Sequence, residues 1–187
     1  MKLYGLLGYP LGHSFSAKYF AEKFAKEGID ATYKNFEFAE VADAVAYLLQ
    51  QDDLQGFNVT IPHKQAIMPY LNGLSAEAEA IGAVNVVCVK RDADGMVKLL
   101  GCNSDVVGFS NSIQPLLRPK LHSKALVLGT GGASKAVMYG LRKLGVEPIY
   151  VSRTPKEGQL TYNDLTPEVM RDYKVIVNCT PLGMYPK

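Results

Sequence analysis

The sequence predicts an α/β protein built as two successive domains, and three observations carry that reading. Short apolar runs of strand length alternate with longer amphipathic stretches of helical period along the 187 residues. The alternation breaks over residues 102–122, where Pro115, Pro119 and a basic cluster follow a helical stretch. It then restarts as strand, glycine-rich turn, helix and strand. The expected division is therefore 1–104 and 105–187.

The elements follow in order. Residues 3–8 read as a strand ending in a Gly/Pro turn. Over 16–27, Tyr19, Phe20, Ala21, Phe24 and Ala25 share one side at helical spacing, which predicts a helix with a core face, and Gly28 is a natural stop. Residues 31–38 are β-branched and aromatic, hence a strand. Residues 41–49 are helical, 56–61 form a strand running into a Pro turn, and 75–81 form a short helix. Runs 83–91 and 96–100 flank Asp92-Ala93-Asp94-Gly95, a hairpin signal. Beyond them come a helix over 105–114, a strand over 125–128, a helix over 133–144 and a strand over 148–151. A polar stretch and a last strand over 174–178 close the pattern.

Composition excludes several classes. Hydrophobic residues make up 48% and charged ones 20%, which argues against disorder and against a disulfide scaffold. The formal net charge is +2 and no like-charge block exceeds two residues, so neither nucleic acid nor an anionic membrane is an expected partner. Cys88, Cys102 and Cys179 lack CxxC spacing and suit a reducing compartment. No apolar run has the length of a spanning helix, and a cytoplasmic location is expected. His13, His63 and His122 have no ligand spacing, so no metal is expected, and His63 reads as a solvated turn residue.

The second half carries a nucleotide signature. Ala125-Leu126-Val127-Leu128 feeds into Gly129-Thr130-Gly131-Gly132-Ala133-Ser134-Lys135-Ala136, which opens a helix. Glycines there allow a tight turn and close approach to a pyrophosphate, and the helix start supplies N–H groups and a positive dipole. That is a Rossmann-type arrangement. Only about three strands follow residue 124, against the usual six, so the domain is expected to be incomplete at its C-terminus. The end of its second strand selects the cofactor. Ser152-Arg153-Thr154 and nearby Lys156 stand where an NAD site would place an acid, which favours NADP over NAD.

In the first half, Gly8-Tyr9-Pro10-Leu11-Gly12-His13-Ser14-Phe15-Ser16 is a hydroxyl-bearing turn before a helix. Its serines read either as helix caps or as a site for an anionic group. Gly56-Phe57-Asn58-Val59-Thr60-Ile61-Pro62-His63-Lys64 ends a strand with a lysine beyond a proline. Together with AIGAVN, GCNSDVVGF, LGTGGASKA, SRTP and NCTPLGM, these motifs resemble the shikimate dehydrogenase family in content and order, over nearly the whole chain. The resemblance implies reversible reduction of 3-dehydroshikimate to shikimate with NADPH, on the pathway to aromatic amino acids. It also implies an N-terminal α/β substrate domain followed by the cofactor domain, working as a monomer or homodimer.

By position, the resemblance makes Ser14 and Ser16 ligands of the substrate carboxylate. Thr60, Asn85 and Asp105 would line the pocket around the ring hydroxyls, and Lys64 would be the catalytic residue, paired with Asp105. Gly129, Gly131, Gly132 and Ala133 would lie along the pyrophosphate. Ser152, Arg153, Thr154 and Lys156 would form the 2′-phosphate end, and Thr180, Leu182 and Met184 would approach the ribose and nicotinamide. The chemistry suits the residue types. Hydride arriving at a ketone leaves an alkoxide, which needs a proton and a nearby positive charge, and a lysine ammonium supplies both.

The chain departs from the family pattern at Ala17, Val86, Ser104, Ser152 and Glu157. Glu157 stands where a second arginine is common, and a carboxylate beside a 2′-phosphate weakens NADP preference. Two other readings stay open: a quinate/shikimate dehydrogenase with relaxed or NAD cofactor use, and a non-catalytic shikimate-binding regulator. The final part of the family's length, which completes the sheet, lies beyond the sequence.

Overall fold

The computed structural model describes residues 1–183. The chain folds as two compact units, Met1–Asn103 and Ser104–Lys187. The first holds a six-stranded sheet in the order β2-β1-β3-β5-β6-β4. Strands β1 (Lys2–Gly8), β2 (Ala31–Glu37) and β3 (Leu54–Val59) are mutually parallel, joined through α1 (Ser16–Glu27) and α2 (Val41–Leu49). β5 (Val86–Arg91) and β6 (Val97–Cys102) form the expected antiparallel hairpin against β3. The short β4 (Gly73–Leu74) adds to its far edge.

The period-two alternation of these strands serves two apolar layers. On one face, Leu3, Leu7, Phe36, Leu54, Phe57, Val59 and Val87 pack with Ala44, Val45 and Leu48 of α2. Ile67 and Ala78 join them from the short α3 (His63–Ala66) and α4 (Ala76–Ile81) regions. On the other face, Leu6, Leu11 and Tyr33 pack with Phe20 and Phe24 of α1. That contact is narrower than the sequence suggests. Tyr19, Ala21 and Ala25 are exposed, because α1 lies chiefly over β2 and β1, where Phe20 and Phe24 fill the strip.

The second unit is a three-stranded parallel sheet, β8-β7-β9, made of β7 (Lys124–Leu128), β8 (Glu147–Val151) and β9 (Val175–Asn178). Its core is Ala125, Val127, Val137, Met138, Leu141 and Val146, with α5 (Asp105–Ile113) laid on α6 (Gly132–Lys143). The polar stretch before β9 holds α7 (Pro167–Asp172), which the hydrophobic pattern does not announce. Its signal is local: Thr166 accepts from the Val169 N–H at 3.4 Å, and Pro167 occupies the first helical position. Among the described residues no helix is long and apolar enough to cross a membrane. The three cysteines are free thiols.

Candidate functional site

In the first unit the candidate residues gather at the C-terminal ends of the parallel strands, where open α/β sheets bind ligands. The loops after β1 and β3 run side by side. The Thr60 N–H donates to the Leu7 carbonyl at 2.8 Å and the Tyr9 N–H to the Ile61 carbonyl at 3.0 Å. Gly8 permits this, since a Cβ there would lie 2.4 Å from the Thr60 methyl.

Capping does not account for the two serines. The residue that caps α1 is Phe15, with no side-chain cap bond. Among the described residues the Ser14 hydroxyl oxygen is buried with no hydrogen-bond partner, a costly condition for a group that water cannot reach. Ser16 is half-buried at the first position of α1. On β2, the Tyr33 hydroxyl donates to the Asn58 side-chain oxygen at 2.8 Å. Burial pushes the Tyr33 phenol up to about 12, opposed by the Ser16 hydroxyl, so it stays protonated in neutral solution.

Asn85 is buried, its N–H donating to the Cys102 carbonyl at 3.1 Å and its carbonyl accepting from Val59 N–H at 2.9 Å. Asn58 Nδ2 approaches the same carbonyl at 3.5 Å. Lys64 sits half-buried on α3, whose backbone is tied to the hairpin by Val84 N–H to Lys64 carbonyl at 2.7 Å. Its neighbour His63 corrects an expectation. The ring is only 3% exposed, and its Nε2–H donates to the Phe38 carbonyl at 2.7 Å, fixing the start of α3 from within the core.

In the second unit Asp105 opens α5, half-buried in the first turn, where a carboxylate meets the positive end of the helix. The glycine-rich turn leads into α6, a helix of 12 residues with Gly131 as its cap and no acid in its first turn. Gly129 has φ +98°, and a Cβ on it would lie 3.1 Å from Thr180 Cγ2 and 3.2 Å from the Cys179 carbonyl. Both backbone conformation and space require glycine there. Gly132 and Ala133 form the first turn of the helix. Ser134 beneath them is fully buried, its hydroxyl donating to the Gly131 carbonyl at 2.7 Å.

At the end of β8, Ser152 is buried and its Oγ accepts from the Thr154 N–H at 3.2 Å, turning the chain outward. Arg153, Thr154, Lys156 and Glu157 are all exposed. After β9, Thr180 and Leu182 form a loop held by Asn178, whose Oδ1 accepts from Thr180 Oγ1 at 2.7 Å and whose Nδ2 donates to the Leu182 carbonyl at 3.0 Å. Met184 lies outside the described residues. No cluster of three metal-ligating side chains occurs among the described residues.

Known proteins share this arrangement. The substrate binding domain of shikimate dehydrogenase matches residues 6–87. A shikimate dehydrogenase (NADP+) of Clostridium botulinum is 36% identical over 188 residues, spanning 96% of this chain and 71% of the relative. The chain belongs to the shikimate dehydrogenase family. A relative of the same name from Clostridium beijerinckii is 38% identical over 203 residues, spanning 100% of this chain and 70% of its own. The crystal structure of shikimate dehydrogenase from Aquifex aeolicus has a TM-score of 0.83 at 34% identity, covering 100% of this chain and 71% of that one. Shikimate 5-dehydrogenase from Thermus thermophilus, solved in complex with NADP(H) and shikimate, has a TM-score of 0.77 at 30% identity, covering 96% and 69%.

The family resemblance and the α/β class read from the motifs are thereby borne out. Two residues of the first unit's polar row, Tyr33 and Asn58, escaped the sequence reading. Asn58 stands inside a quoted motif, but Tyr33 lies in an ordinary strand. The only signal available was a tyrosine at an inward position, which usually needs a partner for its hydroxyl.

Proposed function

We propose that this chain carries out the NADPH-dependent, reversible reduction of 3-dehydroshikimate to shikimate. The single observation that carries the reading is the buried, partnerless Ser14 hydroxyl at an uncapped helix start. Such a group stays without a bond until a ligand or a shift of the turn supplies one. Residues 1–104 would hold the substrate and 105–187 the cofactor, in a cytoplasmic monomer or homodimer.

Ser14 and Ser16 take the carboxylate, aided by the N–H groups at the start of α1. Thr60, Asn85 and Asp105 receive the ring hydroxyls. Bound NADPH supplies the hydride. Lys64 gives its proton to the carbonyl oxygen as the alkoxide forms and takes it back in the oxidative direction, with Asp105 as the carboxylate that orients it. Gly129, Gly131, Gly132 and Ala133 would let the pyrophosphate approach the positive end of α6. Arg153, Thr154 and Lys156 would hold the 2′-phosphate, and Thr180 and Leu182 the ribose and nicotinamide.

Absorbance of reduced nicotinamide, with shikimate and either NADP+ or NAD+, tests this directly. Growth with NADP+ is the expected result. Growth with NAD+ alone would overturn the cofactor assignment. Binding of shikimate with no growth in either would favour a non-catalytic regulator. The exposed Glu157 beside the 2′-phosphate end favours one second reading, a quinate/shikimate dehydrogenase of relaxed cofactor choice. Quinate in the same assay separates the two.

A further inference from the structure

We propose that Asn178 is a positioning residue for the nicotinamide half of the cofactor. It fixes the loop after β9 so that Thr180 meets the ligand as a hydrogen-bond acceptor and Leu182 as an apolar surface. The choice of ligand rests on the cofactor reading above; the bond directions do not.

Topology places the loop. β7 is the central strand, with β8 on one side and β9 on the other. In an open parallel sheet the ligand crevice lies outside the carboxyl ends of the strands, where the strand order reverses. In this unit the reversal falls between β7 and β9. Gly129 follows β7, and Cys179 and Thr180 follow β9, with the Cys179 N–H donating to the Leu128 carbonyl at 2.9 Å. The two loops lie against each other, since a Cβ on Gly129 would be 3.1 Å from Thr180 Cγ2. Arg153, proposed for the 2′-phosphate, follows β8 on the far side of β7. A dinucleotide laid across these strand ends, with its pyrophosphate at the glycine turn, brings its nicotinamide half to the loop after β9.

The bonds within that loop have only one possible direction. The Thr180 N–H is an obligate donor, so the Asn178 atom 3.0 Å from it is Oδ1. The Leu182 carbonyl is an obligate acceptor, so the Asn178 atom 3.0 Å from it is Nδ2. A turned amide would lose both bonds. Oδ1 only accepts, so the Thr180 hydroxyl, 2.7 Å away, gives it its single proton. The Leu182 N–H donates to Thr180 Oγ1 at 3.3 Å. Among the described residues, the Thr180 hydroxyl is left with one lone pair and no proton.

That remainder selects the ligand chemistry. A phosphate is a set of acceptor oxygens and calls for a donor, which Thr180 has already spent. A ribose hydroxyl or a carboxamide N–H is a donor and fits the lone pair. The Leu182 side chain is 77% exposed, an apolar surface suited to the face of a planar ring. Asn178 is itself exposed and lies outside the second unit's apolar core, so its bonds organise the loop rather than the fold.

The test compares two ligands on wild type, Asn178→Ala, Asn178→Asp and Thr180→Val. NADPH is followed by its fluorescence, and adenosine 2′,5′-bisphosphate, which lacks the nicotinamide half, by calorimetry. Asn178→Ala is expected to weaken NADPH about tenfold, the worth of one or two hydrogen bonds. Binding of the bisphosphate should not change, which also shows that the unit is intact. Asn178→Asp keeps the acceptor for both Thr180 bonds and should recover part of the loss. Thr180→Val keeps the branched shape beside Gly129 without the hydroxyl, and should weaken NADPH but not the bisphosphate. Equal losses for both ligands would overturn the proposal and make Asn178 a general brace of the unit. Unchanged NADPH binding in Asn178→Ala or Thr180→Val would overturn it as well. If wild type binds neither ligand, the cofactor reading itself falls and the role of Asn178 falls with it.

Discussion

In the first unit the candidate residues are scattered from Ser14 to Asn85, on separate loops and strand ends that the sheet brings together. In the second unit the cofactor residues come in short contiguous runs, and the backbone does most of the shaping. Gly129 to Ala133 are one turn, and Ser152 to Lys156 are another. The contrast follows from the ligands each half is proposed to meet. A pyrophosphate is recognised by N–H groups and a dipole, which any suitably bent backbone offers. A polyhydroxylated ring acid needs several side-chain donors and acceptors at fixed positions, and those must be held by a packed scaffold. Damage to the first unit should therefore be chemical and specific, whereas damage to the second should be conformational.

The sharpest way to break that contrast is Lys64→Met. If Lys64 is the proton donor, kcat should fall by about 100- to 10,000-fold. Thermal stability and NADP+ affinity should hold, because Lys64 sits half-buried on the short α3 and not in the apolar core. Steady-state rates with shikimate check this. A loss of only a few fold would remove Lys64 from the chemistry.

Gly129→Val should do the reverse. At φ +98° a branched side chain is strained, and its Cβ would press on Thr180 and the Cys179 carbonyl. A cost on the order of 1–3 kcal/mol is expected, seen as a lower Tm together with at least tenfold weaker NADP+. Weaker NADP+ at unchanged Tm would mean that the turn recognises the cofactor by something other than its shape.

Arg153→Ala comes next. It removes the guanidinium proposed for the 2′-phosphate and should lower the NADP+ to NAD+ ratio of kcat/KM by about tenfold. Glu157→Gln should move the same ratio the other way, by less. Both side chains are exposed, so stability should not change. If Glu157→Gln leaves the ratio fixed, the carboxylate lies too far from the phosphate to matter, and the quinate/NAD reading loses its support.

The same contrast explains what the sequence could tell. The glycine turn, Arg153 and the hairpin at Asp92–Gly95 were legible because their physics is local, each set by a few neighbouring residues. Most of the strand and helix order was legible from periodicity, but the short α3, β4 and α7 were not. Tyr33 was not, because its partners lie on α1 and beyond β1, and no spacing in the chain encodes a bond across an intervening strand. His63 was misjudged for a related reason: a histidine after a proline suggests a solvated turn, yet Phe38 from another loop offers it a buried carbonyl. Tyr19, Ala21 and Ala25 share the helical periodicity and yet stay exposed, since period predicts a face and not the width of what covers it.

The smallest effect tests whether the second unit's cofactor end depends on conformation as argued. Leu160 pairs with the end of β8, its carbonyl accepting from Ser152 N–H at 2.9 Å, and so helps place Arg153. Just beyond it, Asp164 and Thr161 form a capping box, with Thr161 N–H and hydroxyl each donating to Asp164 Oδ2 at 2.7 Å. These bonds hold the carboxyl below its usual range, backbone bond first and side-chain bond second. A depressed carboxyl stabilises the fold above its unfolded pKa and ceases to do so as pH falls through the folded one. The contribution should therefore be whole at neutral pH and disappear in acid, below the ordinary aspartate value. Asp164→Asn should flatten that acid limb by a small amount in a Tm-against-pH series. It should also weaken NADP+ slightly at neutral pH while leaving shikimate affinity alone. Parallel acid limbs in wild type and variant would show that the box does not stabilise the fold, and that the 2′-phosphate end is held by β8 alone.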